Sequence, residues 1–217
     1  MNTHQPANRL LLILCTLVFL AHSCLAAADG FTTETGGLEI VLPNGWERLD
    51  QPTNFFVQKR ARDAKQGIAL SAGSCALDLT LEQYAALGLA GFAGFASSPE
   101  AAFEKFAKVV GSSKEAFEKA LASQIGRQLV DSLKQASRTM RFELLKVSKK
   151  QVDGTTRFEI HSKVIVVDSG QIIFSRQFLL SGSSPHQIVQ ITYAGTSEGI
   201  LTQKDLADAI RRKKRDK

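Results

Sequence analysis

Reactive and ligating side chains are scarce in this 217-residue chain, which has three cysteines, four histidines, two methionines, two tyrosines and one tryptophan. Two of the cysteines, Cys15 and Cys24, lie in or beside an N-terminal leader, so Cys75 is expected to be the sole thiol of the mature protein. A single thiol excludes an intramolecular disulfide, however oxidising the compartment. Two histidines follow the leader, His161 and His186, and their separation does not match the close ligand spacing of a zinc site. No Gly-rich phosphate loop, nucleophile elbow or motif-bound pair of acids is present. These scarcities assign no catalytic, cofactor-binding or metal-binding residue, and they point to no cofactor. Cys75, His161 and His186 could form a thiol site only if the fold brought them together. The local setting Ala72-Gly73-Ser74-Cys75-Ala76-Leu77 has no cation to activate the sulfur and reads as buried packing.

An excess of one charge is also missing from most of the chain. The formal charge is +6, from 27 bases and 21 acids. Residues 211–217 hold six of the bases and one acid, and Arg9 is a further base. What remains is 20 bases against 20 acids, so the body is neutral and a basic groove for nucleic acid is not supported. Hydrophobic content of 44% with 22% charged residues fits one folded domain with a full core.

The long apolar run Leu10 to Leu20 follows Arg9 and precedes Leu25-Ala26-Ala27-Ala28. That pattern predicts a cleaved signal peptide over residues 1–28 and an exported chain, periplasmic or extracellular, that starts near Asp29. Ala21-His22-Ser23-Cys24 loosely resembles a bacterial lipoprotein site, so Cys24 is a candidate for lipidation and a membrane tether. The expected organisation is then a single domain over 29–210 and a basic tail over 211–217. In the tail Arg211, Arg212, Lys213, Lys214, Arg215 and Lys217 are candidate contacts to an anionic membrane surface. A solvated terminus explains the same run equally well.

From Met140 to Ala194 the sequence reads as four antiparallel strands in immediate succession. These are Arg141 to Val147, Thr156 to Val167, Gln171 to Leu180 and Gln187 to Tyr193. Asp153-Gly154 suits a two-residue hairpin, Asp168-Ser169-Gly170 a three-residue loop, and Ser181 to Pro185 is a polar break. None of these connections is long enough for a helical crossover. Earlier strands are expected at Gly37 to Leu42, Phe55 to Lys59 and Ile68 to Ala72, with Arg60 to Gln66 as a polar loop. Trp46, after the Pro43-Asn44-Gly45 turn, is expected to plug the core at the sheet edge.

Helical periodicity takes over at Thr80-Leu81-Glu82-Gln83, a capping box. A second helix is expected from Ser98-Pro99-Glu100 to Val110, ended by Gly111. A third, long and amphipathic, opens at Ser112-Ser113-Lys114-Glu115 and carries Phe117, Leu121, Ile125, Leu129 and Leu133 on one face. A last helix begins at Thr202, which could cap Asp205, and turns Leu206, Ala209 and Ile210 inward. His161 alternates with Glu159 and Lys163, a pattern expected on a solvated strand face.

The order of these elements resembles the PsbP-like superfamily. The resemblance rests on Leu42-Pro43-Asn44-Gly45-Trp46, Thr80 to Tyr84, the strand near Leu144, Val152-Asp153-Gly154, Gln177 to Leu180 and Ile188 to Tyr193. The superfamily is typified by extrinsic photosystem subunits and includes a Ran-binding nuclear-import factor and many bacterial exported proteins. It implies an α+β fold, an antiparallel sheet sandwiched by helices as α/β/α, and no shared catalytic motif. The leading expectation is a non-catalytic binding or assembly module of the bacterial envelope, working through contacts with another envelope protein. A membrane-surface protein held by the tail or by Cys24 is the alternative, and an enzyme with an unrecognised site the second alternative.

Overall fold

The computed structural model describes residues 32–35, 37–42, 45–49, 59–77, 79–93, 111, 113–124, 126–128, 131, 138–152, 154–182 and 186–212. The leader, Cys24, the helix expected over 98–110 and most of the expected strand at Phe55 lie outside the described residues. Among the described residues ten strands form two sheets. A small sheet contains β1 (Thr32–Thr35), β2 (Leu38–Val41) and β10 (Ile210–Arg212), with β2 in the centre. The main sheet contains β3 (Trp46–Arg48), β4 (Lys59–Asp63), β5 (Ile68–Ala76), β6 (Met140–Val152), β7 (Thr155–Val166), β8 (Ile172–Ser181) and β9 (Gln187–Gly195). Its order is β3-β4-β5-β9-β8-β7-β6, and every neighbouring pair is antiparallel.

The expected meander is present, and its turn chemistry places it. Val152 pairs with Thr155, leaving a two-residue connection in which Gly154 has φ +71°, a value only glycine adopts without strain. The next hairpin closes one residue earlier than expected: Val166 N–H donates to the Gln171 carbonyl at 2.9 Å, so the loop runs from Val167 to Gly170. A register shift between Leu144 and Lys146 places a bulge in β6, the edge strand. That bulge, together with the cations Arg141, Lys146, Lys149 and Lys150, is how an exposed edge is kept from pairing with another chain.

Apolar alternation on the meander feeds two cores, one on each face of the main sheet. On the first face Phe158, Ile160, Leu179, Ile188 and Cys75 pack with Leu87, Leu89 and Phe117 of helices α1 (Leu81–Ala93) and α2 (Lys114–Ala122). The α1 capping box forms as read: Gln83 N–H donates to Thr80 Oγ1 (3.2 Å), and Gln83 Oε1 accepts from Thr80 N–H (2.8 Å). On the second face Phe178, Leu180, Ile191 and Tyr193 pack with Leu38 and Ile40 of β2 and with Ile200, Leu206 and Ile210 near the C-terminus. The cover here is the small sheet, a 3₁₀ turn (Glu198–Leu201) and the five-residue α3 (Lys204–Asp208), so helices cover one face and a mixed layer the other. Trp46, 1% exposed, closes this core at the sheet edge as expected.

Three expectations are corrected. Arg60 to Asp63, expected at the start of a polar loop, instead belong to strand β4, because β4 is held between β3 and β5 and buries Ala61 and Asp63. The long amphipathic helix ends at Ala122, since Ser123 takes an extended backbone with ψ 159°. Ser123 Oγ donates to the Ala120 carbonyl (2.5 Å) and accepts from Gly126 N–H (3.0 Å), closing one helical stretch and opening the next. A Cβ at Gly126 would collide with the Ala120 and Leu121 carbonyls, so the break needs this glycine. Helix α2 is capped by Ser113, one residue into the predicted box, with Ser113 Oγ accepting from Ala116 N–H (3.2 Å). The last helix is also shorter than read: Thr202 ends the 3₁₀ turn, Gln203 precedes α3 without a side-chain cap, and Ile210 begins β10.

Candidate functional site

Three neighbouring strands present polar side chains on the second face, beside α3. In cross-strand register, Lys146 stands opposite His161, Ser148 opposite Glu159 and Lys150 opposite Arg157. On the other side of β7, His161 pairs with Arg176 of β8 and Glu159 with Phe178. The spacing by two along β7 places Arg157, Glu159 and His161 together, because alternate strand residues share a face. The solvated position expected for His161 is therefore corrected: it is 8% exposed, and Glu159 and Arg176 are 4% and 6% exposed.

Glu159 is the hub. Its Oε1 accepts from Arg176 Nε (2.8 Å) and lies 2.7 Å from Arg176 Nη2. The same oxygen meets His161 Nε2 at 2.8 Å, which an ionised carboxylate accepts only from a protonated Nε2. Oε2 takes Lys150 Nζ at 3.2 Å. The His161 hydrogen bond, then the Arg176 charge and the Lys150 and Arg176 hydrogen bonds, hold the Glu159 carboxyl far below the usual carboxylate range, against the opposing effect of burial. Arg176 also donates from Nη1 to the Gln203 carbonyl (2.5 Å), and its guanidinium lies 5.0 Å from the Phe178 ring centroid. Arg157 reaches the Ala207 carbonyl at 3.5 Å, and its guanidinium lies 5.2 Å from the same ring centroid. This arrangement fastens the C-terminal segment to the sheet through charged hydrogen bonds.

The thiol and imidazoles do not assemble. Cys75 faces the helical core on β5, while His161 is on β7 and on the other face, three strand spacings or about 14 Å of sheet away. His186 is exposed at φ +59° and offers its carbonyl to Leu77 N–H (2.9 Å); no hydrogen bond joins either imidazole to the sulfur. Burial pushes the Cys75 thiol up to about 11. At pH 8 roughly a thousandth of it would be thiolate, and the thiolate is the nucleophile. A chain starting at Asp29 is therefore expected to resist alkylation by iodoacetamide at pH 8 when native and to gain one label when denatured; rapid native labelling, read by mass, would contradict this.

Of the candidate membrane contacts, Arg211 and Arg212 are strand residues opposite Glu39 and Leu38, and Arg211 Nε reaches the Asp208 carbonyl at 3.5 Å. Lys213, Lys214, Arg215 and Lys217 lie outside the described residues, as does Cys24. Among the described residues no group of three or more His, Cys, Asp or Glu side chains could hold a metal, and no helix is long and apolar enough to cross a membrane. The Glu159 cluster was not foreseen. Its signal was Arg176, a lone cation within the apolar run Ile172–Ser181, which needs a buried counter-charge on a neighbouring strand.

No protein-family model matches the chain, and no curated protein matches it in sequence. Among solved structures, cyanobacterial PsbP (CyanoP) from Synechocystis sp. PCC 6803 matches at a TM-score of 0.51 and 16% identity, over 90% of this chain and 99% of that one. LpqN, involved in cell envelope biogenesis of Mycobacterium tuberculosis, aligns at 0.43 and 10% identity, over 85% of this chain and 88% of that one. The Ran-binding protein Mog1p of Saccharomyces cerevisiae aligns at 0.41 and 12% identity, over 83% and 84%. The match to CyanoP, over nearly the whole of both chains, shows that the chain has a PsbP-like fold.

Proposed function

We propose that this chain is an exported, non-catalytic binding or assembly module of the bacterial cell envelope, acting through contacts with another envelope protein. The observation that carries the reading is how the buried ionisable groups are used. Glu159 is fixed as an anion by three partners, Arg176 spans from the sheet to Gln203, and the Cys75 thiol is held protonated. A general base needs a pKa near the working pH, and a nucleophile needs activation. These groups are tuned away from both. Export rests on Arg9, the apolar run from Leu10 and the small residues Ala26, Ala27 and Ala28. The exposed apolar side chains Leu145, Val167 and Ile172, at the β6 bulge and the β7–β8 hairpin, are where a partner would bury surface.

Mass spectrometry of the chain recovered from a bacterial envelope fraction, with a photo-crosslinking residue at Val167 or Ile172, tests both halves of the proposal. Expected are a mature start at or near Asp29 and a discrete cross-linked product. A retained Met1 in the cytosol would contradict export. An acylated Cys24 start would shift the reading to a membrane tether. Absence of any cross-link at either position would remove the protein-contact reading.

A further inference from the structure

The charges around the Glu159 cluster do not balance. Lys146, Lys150, Arg157 and Arg176 stand on one face of β6, β7 and β8, and Glu159 is the one acid of that cluster. Its two oxygens are already occupied by Arg176, His161 and Lys150. Among the described residues Arg157 has no counter-ion, although it is only 9% exposed. Its Nε is buried with no hydrogen-bond partner, and its single carbonyl contact, to Ala207, is at the outer limit for a hydrogen bond. One position along the same face, Ser148 Oγ is buried and unpartnered as well. The other buried orphan hydroxyls do not belong here: Thr192 alternates onto the helical face, and Tyr193 sits in the apolar core beside Trp46.

A buried guanidinium without a compensating charge is costly, and an orphaned hydroxyl adds to that cost. We propose that Ser148, Lys150 and Arg157 form a seat for an oxyanion, a phosphate or carboxylate group that enters between the open β6 edge and α3. The guanidinium supplies a planar pair of donors, the hydroxyl one more, and the ammonium a movable charge. Lys150 is the part that moves, because its side chain is 53% exposed although its Nζ touches Glu159. Lys150 stands opposite Arg157 and bends to Glu159; with an oxyanion bound it turns to the ligand. Glu159 keeps Arg176 and His161, so its own negative charge stays matched. The seat is independent of the envelope role and of the tail.

Isothermal titration of the exported chain with inorganic phosphate, and separately with succinate, at fixed ionic strength tests the seat. Saturable one-site binding of either is expected, and the two arms say which oxyanion chemistry the seat takes. Affinity should fall at least tenfold in Arg157→Met and in Ser148→Ala, and it should not change when residues 213–217 are removed. Should Arg157→Met fail to fold, Ser148→Ala and Lys150→Gln decide, because neither removes a buried charge. No saturable binding of either anion, equal binding by the variants, or binding lost with residues 213–217 would each overturn the proposal.

Discussion

Replacement of Glu159 by Gln is expected to destabilise the fold by about 3–5 kcal/mol, the usual cost of removing one partner from a buried ion pair. For a domain of this size that lowers the melting temperature by roughly 6–20 °C. The amide keeps the shape and one acceptor oxygen but removes the charge that Arg176 and Lys150 share. The arginine bears most of the effect, since it is 6% exposed and cannot recover solvation without leaving Phe178 and the Gln203 carbonyl. Replacing Glu159 and Arg176 together by apolar residues of similar volume should cost much less than Glu159→Gln alone, because no charge is then stranded.

The same group sets an acid limit. The Glu159 carboxyl is held below its ordinary value, so between the two values the folded chain binds fewer protons than the unfolded chain. Its contribution to stability is complete above the unfolded glutamate value of about 4.3 and is lost as pH falls below it. Melting temperature measured from pH 6 down to pH 3 should fall more steeply for the natural chain than for Glu159→Gln. Parallel curves would contradict this role for Glu159.

Trp46→Ala is the second large effect, expected at about 3–5 kcal/mol for an aromatic removed from a filled core. Trp46 lies edge-on to Tyr193 (centroids 6.0 Å, 80° between planes), and Tyr193 is edge-on to Phe178 (6.2 Å, 84°). Strand β3 is three residues long and pairs with β4 alone in the main sheet, so this indole is what holds the edge to the core. Trp46→Phe keeps a ring in the site and should cost less. Chemical denaturation followed by circular dichroism measures both; a Trp46→Ala midpoint equal to that of the natural chain would mean that the ring does not secure the edge. Since Trp46 is the only tryptophan, its emission should shift to the red as the natural chain unfolds.

Most of the meander was legible because its signals are local. Alternating residues such as Phe158, Ile160 and Val164, with glycines at 154 and 170, fix strand and turn without reference to distant parts of the chain. What was misread depends on partners far away in sequence. Arg60 to Asp63 carry one apolar residue, Ala61, and join strand β4 because β3 and β5 flank it. Ile210 continues a helical pattern in sequence, but Ile40 of β2 pairs with it and ends that pattern. His161 looked solvated because the cover over its face comes from the segment around Gln203 and Ala207, which β7 alone does not announce. Ser123 and Gly126 show the opposite failure: a local helix break was readable, but the apolar repeat through Leu121 and Leu133 outweighed it.

Native-state hydrogen exchange on the natural chain and on Glu159→Gln tests the fastening of the C-terminal segment by this charge cluster. The amide of Val41, which donates to the Ala209 carbonyl at 2.9 Å, reports on whether that segment stays docked. Protection at Val41 and across Ile210–Arg212 should fall first in the variant, ahead of β8 and β9. Unchanged protection there, with loss spread evenly over the sheet, would contradict the account.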